Sequence, residues 1–166
     1  MAKPRVAIFD FACCEGCQLQ IVNLEAEIVD LISLITPVEW REASSDQSEE
    51  YDIAIIEGSI TRPEDEERVK KIREKAKVLV ALGACAATGG INKLKNYGPL
   101  EDIQKAVYPN DYKSPHLVTM PTKSVAEVVD VDLHIHGCPI DKQEFTYIIR
   151  CLIAGRTPNI PDYPVC

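Results

Sequence analysis

The chain has 166 residues, 46% of them hydrophobic and 27% charged, with a formal net charge of −8. That is enough for one domain with its own core, and the acidic balance removes the attraction to phosphate backbones on which nucleic-acid binding rests. No apolar stretch is long enough to span a bilayer, and the N-terminus runs into a strand-like segment instead of a signal-peptide core, so the expected setting is the cytoplasm.

Residues 5–9 form a short apolar run suited to a buried strand, and they lead into Asp10-Phe-Ala-Cys-Cys-Glu-Gly-Cys17. One helix is predicted next, because Ile21, Leu24, Ile28, Leu31 and Ile35 are spaced 3, 4, 3 and 4 apart, with Pro37 marking its end. A second strand is expected over 38–43, then a polar loop over 44–50, then a third strand over 51–57 closed by Gly58. The following helix opens near Thr61 with Pro63 in its first turn. It is acidic at its start and basic at its end, which matches the helix dipole and marks a solvated face. Residues 78–82 are a continuous apolar run of the kind found in parallel sheets covered on both sides. Four prolines between 91 and 125 leave room only for short helices there. A fifth strand over 131–135 leads to His136-Gly-Cys138-Pro139, and Asp141 and Glu144 have capping-box spacing for a last helix to 154 that Gly155 stops. Strands alternating with helices imply an α/β fold: a flavodoxin-like doubly wound parallel sheet over residues 1–155, with an extended C-terminal tail over 156–166.

Seven cysteines, at 13, 14, 17, 85, 138, 151 and 166, are an odd count for a disulfide framework. Cys151 sits in an apolar helix and reads as packing. Cys14 and Cys17 follow the first strand, Cys85 the fourth and Cys138 the fifth, so in a parallel sheet all four reach the crevice beyond the strands' carboxyl ends. Four thiolates from three loops at one edge describe a metal pocket. Gly16, Gly83, Gly89, Gly90 and Gly137 let backbone approach a bulky inorganic group and offer N–H donors to its sulfides, while Pro139 fixes the turn and keeps water out. A [4Fe-4S] cluster on Cys14, Cys17, Cys85 and Cys138 is the favoured occupant. Zinc is the alternative, although structural zinc favours paired knuckles in small domains. A thiol-disulfide role for Cys14 and Cys17 is another, since a helix N-terminus would lower a thiol pKa. No phosphatase arginine, P-loop lysine or Gly-x-Gly-x-x-Gly spacing accompanies these loops.

Cys14-Glu-Gly-Cys17-Gln-Leu-Gln, Ile55-Ile-Glu-Gly-Ser59, Gly83-Ala-Cys85-Ala, Gly137-Cys138-Pro139 and Asp162-Tyr-Pro-Val-Cys166 together resemble the small subunit of soluble [NiFe] hydrogenases, in particular the delta subunits of sulfhydrogenases. The resemblance implies that Cys14, Cys17, Cys85 and Cys138 ligate the cluster nearest the active site. It also implies that the NiFe centre lies in a separate large subunit and that further subunits pass electrons to NAD(P), a ferredoxin or another acceptor. The chain would then be a non-catalytic subunit of an oxidoreductase complex. The related small subunit of respiratory complex I carries a tandem cysteine pair, echoed here by Cys13-Cys14, so a complex I-like oxidoreductase without H2 chemistry is the alternative within this resemblance. Cys13 stands where many hydrogenase small subunits have a glutamate, and longer relatives continue past a segment like 162–166 into a further cluster-binding region. Glu15 reads as an exposed loop acid, with proton transfer as its functional alternative. His134 and His136 share one face of the fifth strand and read as polar residues near the cluster, with a metal pair as the alternative. Glu57 either meets the partner or caps the turn that follows it.

Overall fold

The structure, a computed structural model, describes residues 3–108 and 118–160. Five strands, β1 Arg5–Asp10, β2 Thr36–Trp40, β3 Ile53–Glu57, β4 Val78–Leu82 and β5 Leu133–Ile135, form one parallel sheet in the order β2-β1-β3-β4-β5. This is the flavodoxin-like order, with its topological switch between β1 and β3. Helices α1 Gly16–Val22, α2 Ala26–Leu34, α3 Pro63–Lys75, α4 Gly83–Thr88 and α5 Leu100–Val107 lie between strands and α6 Lys142–Ile153 follows the last, with a loop alone joining β2 to β3 and 3-10 turns at Gly90–Tyr97 and Val125–Glu127.

Successive residues of each strand point to opposite faces. Val6, Ile8, Ile53, Ile55, Val80, Leu82 and Ile135 pack with Ile21, Leu24, Leu31 and Phe145, so α1, α2 and α6 cover one face. Ala7, Phe9, Ala54, Ile56, Leu79 and Ala81 pack with Val69, Ile72, Ala86 and Val125, which places α3 and α4 on the other. Both faces of the inner strands are therefore dry, as the continuous apolar run of β4 requires. The charged helix α3 buries Val69 and Ile72 and pairs its outer side with solvent-facing partners such as Lys70–Glu67 and Lys123–Glu66.

Several boundaries differ from the sequence expectation. The single helix predicted after β1 is two, broken at Asn23–Leu24–Glu25, where Glu25 takes φ 55. The apolar stripe survives the break, since Ile21, Leu24, Leu31 and Ile35 are all buried in one cluster. Pro37 lies not at a helix end but inside β2, opposite Val6. An edge strand tolerates a residue that lacks an N–H, and β2 is an edge. Cys85, expected in a loop, sits in α4, which starts as soon as β4 ends. Asp141 caps α6 by accepting from the N–H groups of Gln143 and Glu144. Gly155 takes φ 66 just beyond the end of that helix. Residues 156–160 have no regular structure, and the rest of the tail, including Cys166, lies outside the described residues.

Candidate functional site

Because every strand is parallel, the segments after β1, β3, β4 and β5 emerge on one edge of the sheet. The segment after β1 is held by backbone bonds from Phe11 N to Glu57 O (2.8 Å) and from Ser59 N to Ala12 O (2.9 Å). The first turn of α1 is held from below by Glu57, only 2% exposed, whose two carboxylate oxygens accept from Cys17 N (3.0 Å) and Gln18 N (3.1 Å). This is neither of the roles read from sequence. The strand-end carboxylate satisfies orphan donors of a helix 40 residues earlier.

The cysteine segments also meet one another. Ala84 N donates to Gly137 O at 2.7 Å, which joins the start of α4 to the turn that carries Cys138. Gly83, with φ 79, lies so close to Cys17 Sγ that a side chain there would collide with it, and a Cβ on Gly90 would stand 2.9 Å from Cys85 Sγ. A Cβ on Gly16 would meet Cys14 Sγ at 3.3 Å and Pro139 Cβ at 3.9 Å. Cys17 is buried, Cys85 half-buried, and Cys14 and Cys138 are exposed. Bare glycine backbone thus lies against the sulfurs of Cys14, Cys17 and Cys85, and a donor set of thiols in such a setting suits a bulky thiophilic group.

Burial pushes the Cys13 and Cys17 thiols up to about 12, with the Glu57 charge adding to both. Burial also raises Cys85, and after it the negative charges that Cys138 and Cys14 would carry. Thiols in such a setting ionise readily only against a cationic group. The lowered thiol that the disulfide alternative calls for at the start of α1 is not found at Cys17, where burial first and then the Glu57 charge act in the raising direction. A reactive disulfide-exchange thiol needs the opposite shift. Among the described residues no three His, Cys, Asp or Glu side chains are grouped as they would be around a single metal ion.

A profile of the family described as "NADH ubiquinone oxidoreductase, 20 Kd subunit" matches residues 14–152. The chain belongs to this 20 Kd subunit family. Its relatives include sulfhydrogenase 2 subunit delta of Pyrococcus furiosus, 31% identical over 98% of this chain and 67% of that protein. Another is a subunit of the F420-non-reducing hydrogenase of Methanococcus voltae, 32% identical over 99% of this chain and 61% of that protein. The chain therefore spans about two thirds of the length of these relatives. Among solved structures, a chain of an NAD+-reducing [NiFe]-hydrogenase in the H2-reduced state superposes with a TM-score of 0.87 at 27% identity, covering 97% of both chains. The recognised resemblance and the fold class both hold.

In this 20 Kd-type subunit, Glu15 is the N-terminal cap of α1 in a left-handed conformation and is half-buried rather than exposed. Arg41 binds it at 2.8 Å and Asp10 at 2.7 Å. Glu42 is pushed up by its hydrogen bond to Glu15 and by burial. His134 and His136 stack with ring centroids 5.9 Å apart and 11° between planes, and burial followed by the neighbouring imidazole lowers His134. Two of the expected glycine donors are committed elsewhere: Gly89 N donates to Cys85 O and Gly90 N to Thr88 Oγ1. Pro139 is exposed. Cys151 lies in α6, as its apolar surroundings suggest. Among the described residues no helix is long and apolar enough to cross a membrane.

Sequence reasoning missed Ser59, Arg41 and Asn92. Each acts through a contact to a distant segment, and nothing in its own neighbourhood announces that contact.

Proposed function

We propose that this chain is the electron-transfer small subunit of a cytoplasmic [NiFe] hydrogenase complex and that it holds one [4Fe-4S] cluster on Cys14, Cys17, Cys85 and Cys138. The convergence of the three segments that carry those cysteines on one edge of the sheet, with glycine against the sulfurs of Cys14, Cys17 and Cys85, carries the reading. A group of this kind takes up and gives back single electrons when bound. The four cysteines hold it, Glu57 fixes the turn that presents Cys17, and the Ala84–Gly137 bond fixes Cys85 against Cys138. The NiFe centre belongs to a large partner subunit in this proposal, and further subunits lead to NAD(P), a ferredoxin or another acceptor. The relatives' descriptions as subunits of hydrogenases support that assembly.

Anaerobically purified protein is expected to be brown, with about four irons and four labile sulfides per chain and an EPR signal on reduction. Cys17→Ser and Cys138→Ser should lose most of that iron and the signal. Colourless protein carrying one zinc, or full iron in both variants, would overturn the assignment.

The family's description and the Cys13-Cys14 pair favour one second reading, a complex I-like subunit without H2 chemistry. Native copurification separates the two. A large nickel-containing chain supports the hydrogenase, and a nickel-free large chain supports the alternative.

A further inference from the structure

The 3-10 turn Gly90–Tyr97 is built inside out. Its apolar residues Ile91, Leu94 and Tyr97 are 74%, 60% and 89% exposed, and at a spacing of three they share one outward ridge. Its polar residues face the protein. Asn96 exchanges hydrogen bonds with the backbone of Thr122, through Nδ2 to Thr122 O and from Thr122 N to Oδ1, both 2.8 Å. Lys93 reaches Glu127, and Thr122, 1% exposed, donates its hydroxyl to Asn92 O at 2.9 Å. A segment with so little burial of its own is held in place by these polar ties.

Asn92 makes the contact that matters for the cysteines. Its Nδ2 donates to Ala12 O at 2.8 Å and to Ser59 Oγ at 2.9 Å. The amide's two protons thus reach the segment after β1 and the segment after β3. Ser59, fully buried, closes the triangle. Its N–H donates to Ala12 O at 2.9 Å, its Oγ donates to the same oxygen at 3.2 Å, and Ala12 N returns a bond to Ser59 O at 3.2 Å. Ala12 immediately precedes Cys13-Cys14. Asn92 itself lies two residues beyond Gly90, which abuts Cys85 Sγ. One side-chain amide therefore bridges the backbone that carries Cys14 and the backbone that wraps Cys85, joining segments 80 residues apart.

We propose that Asn92 is a positioning residue of the four-cysteine site: its amide, backed by Ser59, sets the distance between the Cys14 loop and the Cys85 segment. The inference rests on the cluster reading above and adds to it a residue that is not itself a ligand. A ring of sulfurs has to be held to a fraction of an ångström to keep a bound group, and groups outside the ligand set do that by fixing the ligands' backbone. Loss of the Nδ2 donor leaves Ala12 O to Ser59 alone and frees the Cys14 loop to move relative to Cys85.

The test compares the unsubstituted protein, purified anaerobically with whatever chains accompany it, with N92A, N92D and S59A. N92D preserves size and removes the donor, which covers the case in which N92A does not fold. The first readout is the rate at which a chelator removes iron, and the second is the EPR line shape of the reduced protein. Both Asn92 variants are expected to release iron about five- to twentyfold faster and to broaden or shift the EPR signal, with S59A between them and the unsubstituted protein. A residue that served folding alone would change the melting temperature and leave the spectrum of the intact protein unaltered. Wild-type release rates and spectra in N92D and in any N92A that folds would overturn the role of Asn92 while the cluster reading stands. Absence of iron from the unsubstituted protein would overturn the cluster reading and this inference with it.

Discussion

Glu57 shows how much one side chain can carry at this sheet edge. It is 2% exposed, and each of its oxygens takes one backbone N–H from the first turn of α1. Truncating it would strand both donors in a dry site, since unsatisfied buried groups cost more than a formed bond contributes. Glu57→Ala is therefore expected to lose about 2–3 kcal/mol of unfolding free energy, and Glu57→Gln, which keeps one acceptor oxygen, about 1 kcal/mol. Urea titration of the three proteins side by side checks this. If E57A and the unsubstituted chain share a midpoint, the carboxylate is not the cap described here. The contrast with the cysteines explains what the sequence could show. Cys14, Cys17, Cys85 and Cys138 stand out because their residue type is rare and they lie in the segments after apolar strands. Glu57 ends a strand, but its partner lies 40 positions back, and no local pattern encodes a contact of that range.

Periodicity at the level of elements was a good guide to faces and a poor guide to breaks. The stripe Ile21, Leu24, Ile28, Leu31, Ile35 does lie against the core, yet the backbone turns at Glu25 and continues in the same direction of burial, so the spacing is blind to the interruption. β4 was legible to the residue because its run is apolar throughout and bounded by Lys77 and Gly83. The short turn Val125–Glu127 had no periodic signal and depends on side chains instead. Ser124 N and Oγ donate to Glu127 Oε2 at 2.7 and 2.9 Å, and Lys93 Nζ adds a bond at 2.8 Å. Lys93 first, then Ser124, hold the Glu127 carboxyl down from 4.5 to about 2. A carboxyl depressed in the folded state contributes stability that is complete above its ordinary value and is lost as pH falls through the lowered one. The Glu127 side chain is 47% exposed, so solvent screening leaves about 1 kcal/mol of that contribution. Glu127→Gln should accordingly be about 1 kcal/mol less stable at neutral pH. The difference should narrow as pH falls from about 4.5 toward 2, as paired urea melts would show. A gap that stays constant over that range would mean that the Glu127 charge is not what anchors the turn.

Across the whole molecule, stability is unevenly distributed. β1, β3 and β4 lie in the middle of the sheet with both faces buried, whereas the cysteine segments project beyond its edge and are joined by single hydrogen bonds such as Ala84–Gly137 and Asn92–Ala12. Cys17, pushed up to about 12 chiefly by burial, favours the neutral thiol when nothing cationic is near, and Cys14, Cys17, Cys85 and Cys138 are all free of disulfides. A group gripped by all four would tie the segments after β1, β4 and β5 to one another, and by linkage anything bound only by the folded chain stabilises it. Stripping iron anaerobically should therefore lower the melting temperature. It should also speed amide hydrogen exchange in residues 11–18, 83–92 and 136–140, while β3 and β4 keep their protection, since local opening follows the segments with the fewest buried contacts. The pattern matters more than the size of the effect. Faster exchange spread evenly over the sheet would describe a fold that needs its metal throughout. Unchanged exchange in the three edge segments would mean that they are already fixed by their hydrogen bonds, and that whatever the thiols hold is not what brings them together.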